Sequence, residues 1–184
     1  MAKPTNKLSY LDALDQKVLI FDGAMGTNLA KMGLTAEQFG GEKQCGCNDC
    51  LVLTSPHAVE KVHRSFLEVG VDVIETNTFR ANRITLGEYS LADQTQAINY
   101  SAAKLARRLA DEFSAPGHPR FVAGSLGPTG QLPSSSDPNL CKFSFDEIVD
   151  IYRQQAQSLL EGGIDLFLIE TAQDILEVKV QVLR

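Results

Sequence analysis

The sequence predicts an α/β protein with parallel strands, and within that class a (β/α)₈ TIM barrel of which the chain covers about the first four βα units. Four short apolar runs are separated by segments with helical periodicity. Polar or glycine-rich residues follow each run, and a helix–glycine–strand–acid pattern occurs twice. Strands that alternate with helices in this way run parallel and are joined by right-handed crossovers.

The predicted strands are the apolar runs at residues 18–21, 71–74, 120–123 and 165–169. Apolar and polar residues do not alternate cleanly in any of them. Strands with one solvent-facing side alternate, whereas strands buried on both sides do not. We therefore expect these strands to be covered on both faces.

Two of the predicted helices lie between the strands. Residues 56–69 carry an apolar stripe, with Ser55 available to cap the helix and Pro56 at the first helical position. A longer helix is predicted over residues 91–113, again with apolar side chains on one face.

Two further helices are predicted towards the end of the chain. Ser144 and Glu147 have the spacing of a capping box, in which the side chain of each residue binds the backbone of the other. The last helix begins near Asp174 and is still running at Arg184.

A faint internal repeat supports a repeated αβ unit. Residues 68–72 lead into an acid at position 75, and residues 161–165 lead into an acid at position 170. A doubly wound sheet and a barrel both fit this pattern. The barrel is preferred because residues 22–27 contain glycines without the spacing of a dinucleotide-binding loop.

A complete barrel needs about 250 residues, and this chain has 184. We therefore expect residues 18–184 to form the N-terminal half of a truncated barrel. Residues 1–17 are expected to form a polar N-terminal segment or helix.

The composition limits the function classes. With 43% hydrophobic residues, 22% charged residues and a net charge of -6, the chain resembles an ordinary globular protein. An acidic chain gives no electrostatic reason to bind nucleic acid or an anionic membrane. No signal peptide or membrane span is recognised, so a cytoplasmic location is expected.

The residues that follow the strands suggest an amino-acid pocket. Asp22 and Glu170 follow the first and fourth strands, where the βα loops of a barrel form its active site. Carboxylates hold an ammonium group, and the backbone of glycine-rich turns holds a carboxylate. The alternative is that these acids cap helices or pair with lysines elsewhere. Glu75 either points into the barrel or holds the next loop, and Asn77 either contacts substrate or fixes its own turn.

The four cysteines offer a weaker possibility. Cys45, Cys47 and Cys50, with the distant Cys141, would provide four thiolates for zinc. A structural zinc site usually pairs two such clusters, and only one is present, so incidental thiols in a surface loop are the preferred interpretation. The histidines show no ligand spacing. No metal-binding residue is predicted.

Several motifs occur together in one order: residues 21–27, 46–49, 53–54, 74–79, 123–129 and 168–171. With them, residues 18–184 resemble the homocysteine S-methyltransferase family. Residues 136–139 followed by 145–147 resemble most closely the N-terminal module of its cobalamin-dependent methionine synthase branch. The resemblance implies a (β/α)₈ barrel with homocysteine at its C-terminal mouth. It also implies that Asp22 and Glu170 receive the amino group, while residues 23–27 and 125–127 surround the amino-acid end. The residues predicted to contact substrate are Asp22, Gly23, Ala24, Met25, Gly26, Asn77, Ser125, Leu126, Gly127 and Glu170.

The resemblance also implies cofactors. The family activates the substrate thiol on zinc, because a thiolate is the nucleophile and the metal deprotonates the thiol. Its zinc cysteines lie in the second half of the barrel and are absent from this chain, so no catalytic residue is assigned. In the intact protein, folate and cobalamin domains would deliver the methyl group from 5-methyltetrahydrofolate through methylcobalamin, and this chain alone would be inactive. The alternatives are a homocysteine methyltransferase that uses S-methylmethionine or betaine, or an inert binding or structural unit.

Overall fold

The computed structural model of the chain describes residues 8–182. The strands are β1 (Val73–Glu75), β2 (Phe121–Leu126) and β3 (Leu166–Ile169). The helices are α1 (Tyr10–Leu14), α2 (Met25–Ala30), α3 (Ala36–Phe39), α4 (Leu51–Thr54), α5 (Pro56–Glu68), α6 (Arg83–Gly87), α7 (Thr95–Phe113), α8 (Phe145–Gly162) and α9 (Ile175–Val182). Short 3₁₀ turns lie at Glu42–Gln44, Asn48–Cys50 and Ala92–Gln94.

The described strands form one parallel sheet in the order β1-β2-β3. Val73 pairs with Phe121, and Ala123 pairs with Leu166. A helix lies between each pair of consecutive strands, which confirms the prediction of a parallel α/β arrangement.

The predicted first strand is only partly formed. Residues 18–22 lie along the free side of β1, where Phe21 makes a parallel bridge to Val73. The N–H of Asp22 donates to the carbonyl of Val73 at 2.9 Å, and the N–H of Asp72 donates to the carbonyl of Ile20 at 2.8 Å. The segment is therefore positioned as a strand but lacks regular strand geometry.

The expectation that all strands are covered on both faces is correct only for the middle of the sheet. Every residue of β2 is buried. At the edges, Val18 is 80% exposed and Phe167 in β3 is 38% exposed. Within residues 8–182, each of these edge segments pairs on one side only, and their apolar residues consequently face solvent.

The long helices agree with their sequence signals. The predicted helix at 56–69 is α5, and the predicted helix at 91–113 is α7 preceded by a 3₁₀ turn. Ser55 does not cap α5, because its hydroxyl donates to the carbonyl of Gln38 at 2.8 Å instead.

The predictions for the two ends of the chain are confirmed in part. Ser144 and Glu147 form the capping box of α8 as expected. The last helix is α9, which is described as far as Val182, so its predicted continuation to Arg184 falls outside the described residues. The N-terminal segment contains α1, and residues 1–7 also lie outside the described part.

Different helices pack against the two faces of the sheet. On one face, Ile74 and Val122 pack against α5 and α7 through Leu67 and Leu109. On the other face, α1 covers the sheet at the end where the strands begin, and Tyr10 meets Phe121 edge-on with ring centroids 5.6 Å apart. The opposite end, where the strands finish, is left open to polar side chains. No helix within the described residues is long and apolar enough to cross a membrane.

Candidate functional site

A polar cavity of about 540 Å³ opens at the carboxyl ends of β1 and β2. It is lined by residues 22–26, 46–49 and 75–80 together with Tyr89, Ser125 and Glu170. The ends of parallel strands leave backbone groups and side chains pointing away from the packed core, which is where α/β proteins build binding sites. The cavity is therefore the candidate site.

Asp22 lines the cavity, and the backbone of Glu75, the last residue of β1, holds its side chain in place. Both of its carboxylate oxygens accept a hydrogen bond from the backbone N–H of Glu75, at 3.1 and 3.2 Å. Burial raises the pKa of Asp22 to about 8, and the negative charges of Glu75 and Glu170 add to the increase. The empty cavity therefore disfavours the charged form of Asp22.

Glu170 and Glu75 supply two further carboxylates to the same cavity. The hydroxyl of Ser125 donates to Oε1 of Glu170 at 2.6 Å and orients it. Burial raises the pKa of Glu75 to about 7, and the charge of Glu170 contributes to the increase. Three acids thus converge on one space, and the charge of Glu170 makes ionisation of Asp22 and Glu75 more costly.

A buried hydroxyl network holds Ser125 in place. The hydroxyls of Thr76 and Thr78 lie 2.6 Å apart. The N–H of Ser125 donates to Oγ1 of Thr76 at 3.0 Å, and the hydroxyl of Thr78 donates to the carbonyl of Ser125 at 2.8 Å. These bonds join the ends of β1 and β2, so the orientation of Glu170 depends on residues that follow both strands.

The loop at residues 46–49 folds over the cavity from outside the sheet. The side-chain amide of Asn77 donates to the carbonyl of Asn48 at 2.7 Å. A Cβ atom on Gly26 would approach Nδ2 of Asn48 to 3.3 Å, so this glycine allows the two loops to lie close together. Asn77 therefore holds a separate loop and does not simply close its own turn.

Asp49 and Arg80 lie next to each other in the lining of the cavity. Oδ1 of Asp49 accepts a hydrogen bond from the backbone N–H of Arg80 at 3.0 Å. Burial raises the pKa of Asp49 to about 6. The guanidinium of Arg80 donates to Glu88 at 2.8 Å near the surface. Arg80 is the basic residue among those that line the cavity.

Two residues predicted to contact substrate do not line the cavity. Leu126 is buried among Ala103 and Leu159, on the side of the sheet covered by helices. Gly127 packs against Phe79, whose carbonyl accepts its N–H at 3.1 Å and would lie 2.3 Å from an added Cβ. Their role is to position the loop that follows β2. The other residues predicted to contact substrate all line the cavity.

The sequence profile of the homocysteine S-methyltransferase family matches residues 19–184, which is most of the chain. The chain belongs to the homocysteine S-methyltransferase family.

Family relatives include the methionine synthases of Mycobacterium tuberculosis and Mycobacterium leprae. The first is 42% identical over 173 residues and the second 41% identical over 173 residues. Each match covers 94% of this chain but only 14% of the relative. The chain therefore spans about a seventh of the length of these relatives.

Solved structures of the homocysteine methyltransferase MmuM from Escherichia coli share the fold. The metallated form matches with a TM-score of 0.72 at 21% identity, covering 91% of this chain and 59% of the other. The oxidized form matches with a TM-score of 0.71 at 22% identity, covering 91% of this chain and 57% of the other. At this level of identity the comparison establishes the fold alone.

The family implies zinc, but the described residues do not offer a zinc site. Within residues 8–182, no group of three or more His, Cys, Asp or Glu side chains is arranged to hold a metal ion. Cys47 and Cys50 are buried, Cys45 is exposed and Cys141 is half-buried. The donor set does not fit the metal, and no chemical step is assigned to zinc in this family member.

Sequence reasoning missed part of the cavity lining. Arg80 and Tyr89 line the cavity but lie several residues after the end of β1, so their position after a strand does not mark them as site residues. Thr76 contributes through a hydrogen bond to Ser125, a residue distant in sequence. Asn48 and Asp49 belong to a motif that carried the family resemblance, so that motif was the available signal.

Proposed function

We propose that the cavity binds homocysteine and presents its thiol for methylation to methionine. The observation that carries this proposal is the convergence of Asp22, Glu75 and Glu170 on one cavity. Burial, together with the negative charges of neighbouring acids, raises the pKa values of Asp22 and Glu75 to about 8 and about 7. A buried ammonium group relieves this repulsion, because it favours the charged carboxylates through charge-assisted hydrogen bonds.

The binding step follows from these charges. In the empty cavity, Asp22 holds a proton at pH 7 because its pKa lies above that value. When the ammonium group of homocysteine enters, the carboxylate of Asp22 becomes the favoured form and its proton leaves for solvent. Glu170 is already oriented by Ser125. The site is therefore organised for a cation before the ligand arrives, which lowers the entropy cost of binding.

The carboxylate of the amino acid is attached to the same carbon as its ammonium group, so it must be held close to the acids. Residues 23–26, which lead into the N-terminus of α2, and Arg80 line the same cavity. Carboxylates are held by backbone N–H groups and by arginine. This arrangement supports recognition of a small zwitterion.

We also propose that residues 18–184 form the N-terminal half of a (β/α)₈ barrel, with residues 1–17 as a separate N-terminal segment. The methionine synthase relatives are identical at about twice as many positions as MmuM, which supports methylcobalamin and 5-methyltetrahydrofolate as the source of the methyl group. Folate and cobalamin domains of the intact protein would then be the partners of this unit.

Calorimetric titration of the 184-residue chain tests homocysteine binding. The ligands are homocysteine and 4-sulfanylbutanoate, which lacks only the amino group. Glu170→Gln should weaken homocysteine binding by about 10–100-fold, the usual loss for a hydrogen bond to a charged group. The same substitution should leave 4-sulfanylbutanoate binding unchanged, because that ligand has no ammonium group for Glu170 to hold.

Asp93→Asn provides the matched control, since Asp93 is an exposed acid outside the cavity. Circular dichroism of each variant confirms that it is folded. Equal homocysteine affinity in the original chain and in Glu170→Gln would contradict the assignment of this acid to the amino group.

A further inference from the structure

The cysteine motif at residues 47–50 has the geometry of a disulfide-forming turn. The N–H of Cys50 donates to the carbonyl of Cys47 at 3.3 Å, which closes a turn between residues three apart. Such turns bring their end Cα atoms within about 7 Å, and disulfides span about 4.4–6.8 Å between Cα atoms. A disulfide between Cys47 and Cys50 therefore needs little backbone movement.

The two sulfurs are placed differently with respect to the cavity. Cys47 lines the candidate homocysteine site, whereas Cys50 lines a second cavity and donates its thiol hydrogen to the carbonyl of Phe39 at 3.2 Å. Both residues are only 2% exposed to solvent. A reagent bound in the candidate site therefore meets Cys47 first.

The residues between the two cysteines hold the cavity together. Asn48 accepts the hydrogen bond from Asn77, and Asp49 accepts the one from the backbone of Arg80. The thiol pair is consequently one residue away from two contacts that position the cavity lining.

We propose that Cys47 and Cys50 are a dithiol pair that reduces small disulfides entering the cavity, above all amino-acid disulfides such as homocystine. The preference for homocystine rests on the proposed function, because its ammonium groups would use the same carboxylates as homocysteine. The reaction of the pair with an uncharged disulfide does not depend on that function.

The exchange proceeds in two balanced steps. Cys47 attacks one sulfur of the incoming disulfide and a mixed disulfide forms between them, while the proton of Cys47 goes to the thiolate that leaves. Cys50 then attacks the sulfur of Cys47, and its proton goes to the second departing thiol. The pair loses two electrons, and the small disulfide gains them.

Intact-mass spectrometry tests the reaction on the full chain carrying Cys45→Ser and Cys141→Ser, which leaves only the proposed pair. Incubation with homocystine should lower the mass by about 2 Da, the two hydrogens lost on disulfide formation. Two molecules of homocysteine should be released per chain. Adding Cys50→Ser should stop the reaction at a mixed disulfide that carries one homocysteine on Cys47.

Bis(2-hydroxyethyl) disulfide serves as the uncharged comparison. Faster oxidation by homocystine supports both the pair and recognition by the carboxylates. Equal rates support the pair but contradict that recognition. If neither disulfide lowers the mass, and both thiols still react with N-ethylmaleimide in the unfolded chain, the inference is wrong, whereas calorimetric binding of homocysteine would still support the proposed function.

Discussion

The carboxylate of Asp22 and the backbone N–H of Glu75 are joined by a forked hydrogen bond, with distances of 3.1 and 3.2 Å to the two oxygens. The side chain of Glu75 lines the same cavity as that carboxylate. One residue thus fixes Asp22 through its backbone and repels it through its charge. The hydrogen bond lowers the pKa of Asp22, but burial and the charge of Glu75 outweigh it.

Asp22→Asn should stabilise the empty chain at neutral pH. The pKa of Asp22 is about 8 in the folded protein against an ordinary value of 3.8. Because the unfolded state loses this proton first, stability falls as pH rises from about 4 to about 8 and is constant above that. The asparagine variant has no proton to lose. Its free energy of unfolding should rise by about 0.5–2 kcal/mol at pH 7.5, the usual gain from a single stabilising substitution.

Urea denaturation across this pH range measures the effect, with Asp93→Asn as the control. The variant should also show a flatter dependence of stability on pH and weaker homocysteine binding. A variant that is less stable than the original chain at pH 7.5 would show that the hydrogen bonds to Glu75 matter more than the buried charge.

His63 should make the chain sensitive to acid. It is fully buried in α5, and neither ring nitrogen has a hydrogen-bond partner among the described residues. Burial lowers the pKa of His63 to about 4. The unfolded state therefore binds the proton more readily, so stability is lost as pH falls from about 6.5 towards 4.

His63→Leu should remove this part of the acid sensitivity, because leucine neither titrates nor leaves buried nitrogens unpaired. The thermal midpoint between pH 4 and 7 measures the change. His57→Leu is the control, since His57 is exposed on the first turn of the same helix. An unchanged pH profile in His63→Leu would mean that the buried imidazole does not govern acid unfolding.

The parts of the fold that the sequence predicts are those with local signals. The capping box of α8 and the apolar stripe of α5 depend on residues three or four apart, and both helices occur where expected. Asp22 and Glu170 were predicted to share a mouth because the ends of parallel strands lie at one edge. Both line the cavity, as this rule predicts.

The parts that sequence did not predict depend on contacts between distant residues. Asn77 binds Asn48, which lies 29 positions earlier, and nothing in the intervening residues specifies that pairing. Residues 18–21 have strand composition, but within the described chain they pair with β1 alone, so regular geometry is not enforced. Leu126 was assigned to substrate because it lies in a strand-end motif, whereas the alternation of side chains along β2 turns it towards the helices.

Gly127→Ala should destabilise the chain and disturb the loop that follows β2. An added Cβ would lie 2.3 Å from the carbonyl oxygen of Phe79, a backbone atom that cannot move aside alone. Overpacking of this kind costs about 1–3 kcal/mol. Gly87→Ala is the control, because its nearest neighbour beyond the helix backbone would be 4.0 Å away. Chemical denaturation of both variants measures the difference, and equal stability would show that the loop adjusts freely.

The buried hydroxyl of Tyr152 lies within hydrogen-bond distance of two acceptors. These are the carbonyl of Gly127 at 2.9 Å and Oε1 of Glu177 at 3.0 Å. That carboxylate oxygen also accepts the N–H of Thr129 at 2.7 Å. The network therefore ties α8 and α9 to the loop that follows β2.

Tyr152→Phe keeps the ring and removes only the hydroxyl. It leaves a buried carbonyl without its donor and takes one partner from a fully buried carboxylate, so unfolding free energy should fall by about 1–3 kcal/mol. Tyr100→Phe is the matched control, because Tyr100 is 40% exposed on α7 and its substitution should change stability by less than about 0.5 kcal/mol. Hydrogen exchange of the Thr129 amide adds a local readout. Faster exchange is expected in Tyr152→Phe, because Glu177 is then held by fewer partners, and unchanged exchange together with unchanged stability would show that Tyr152 does not support this loop.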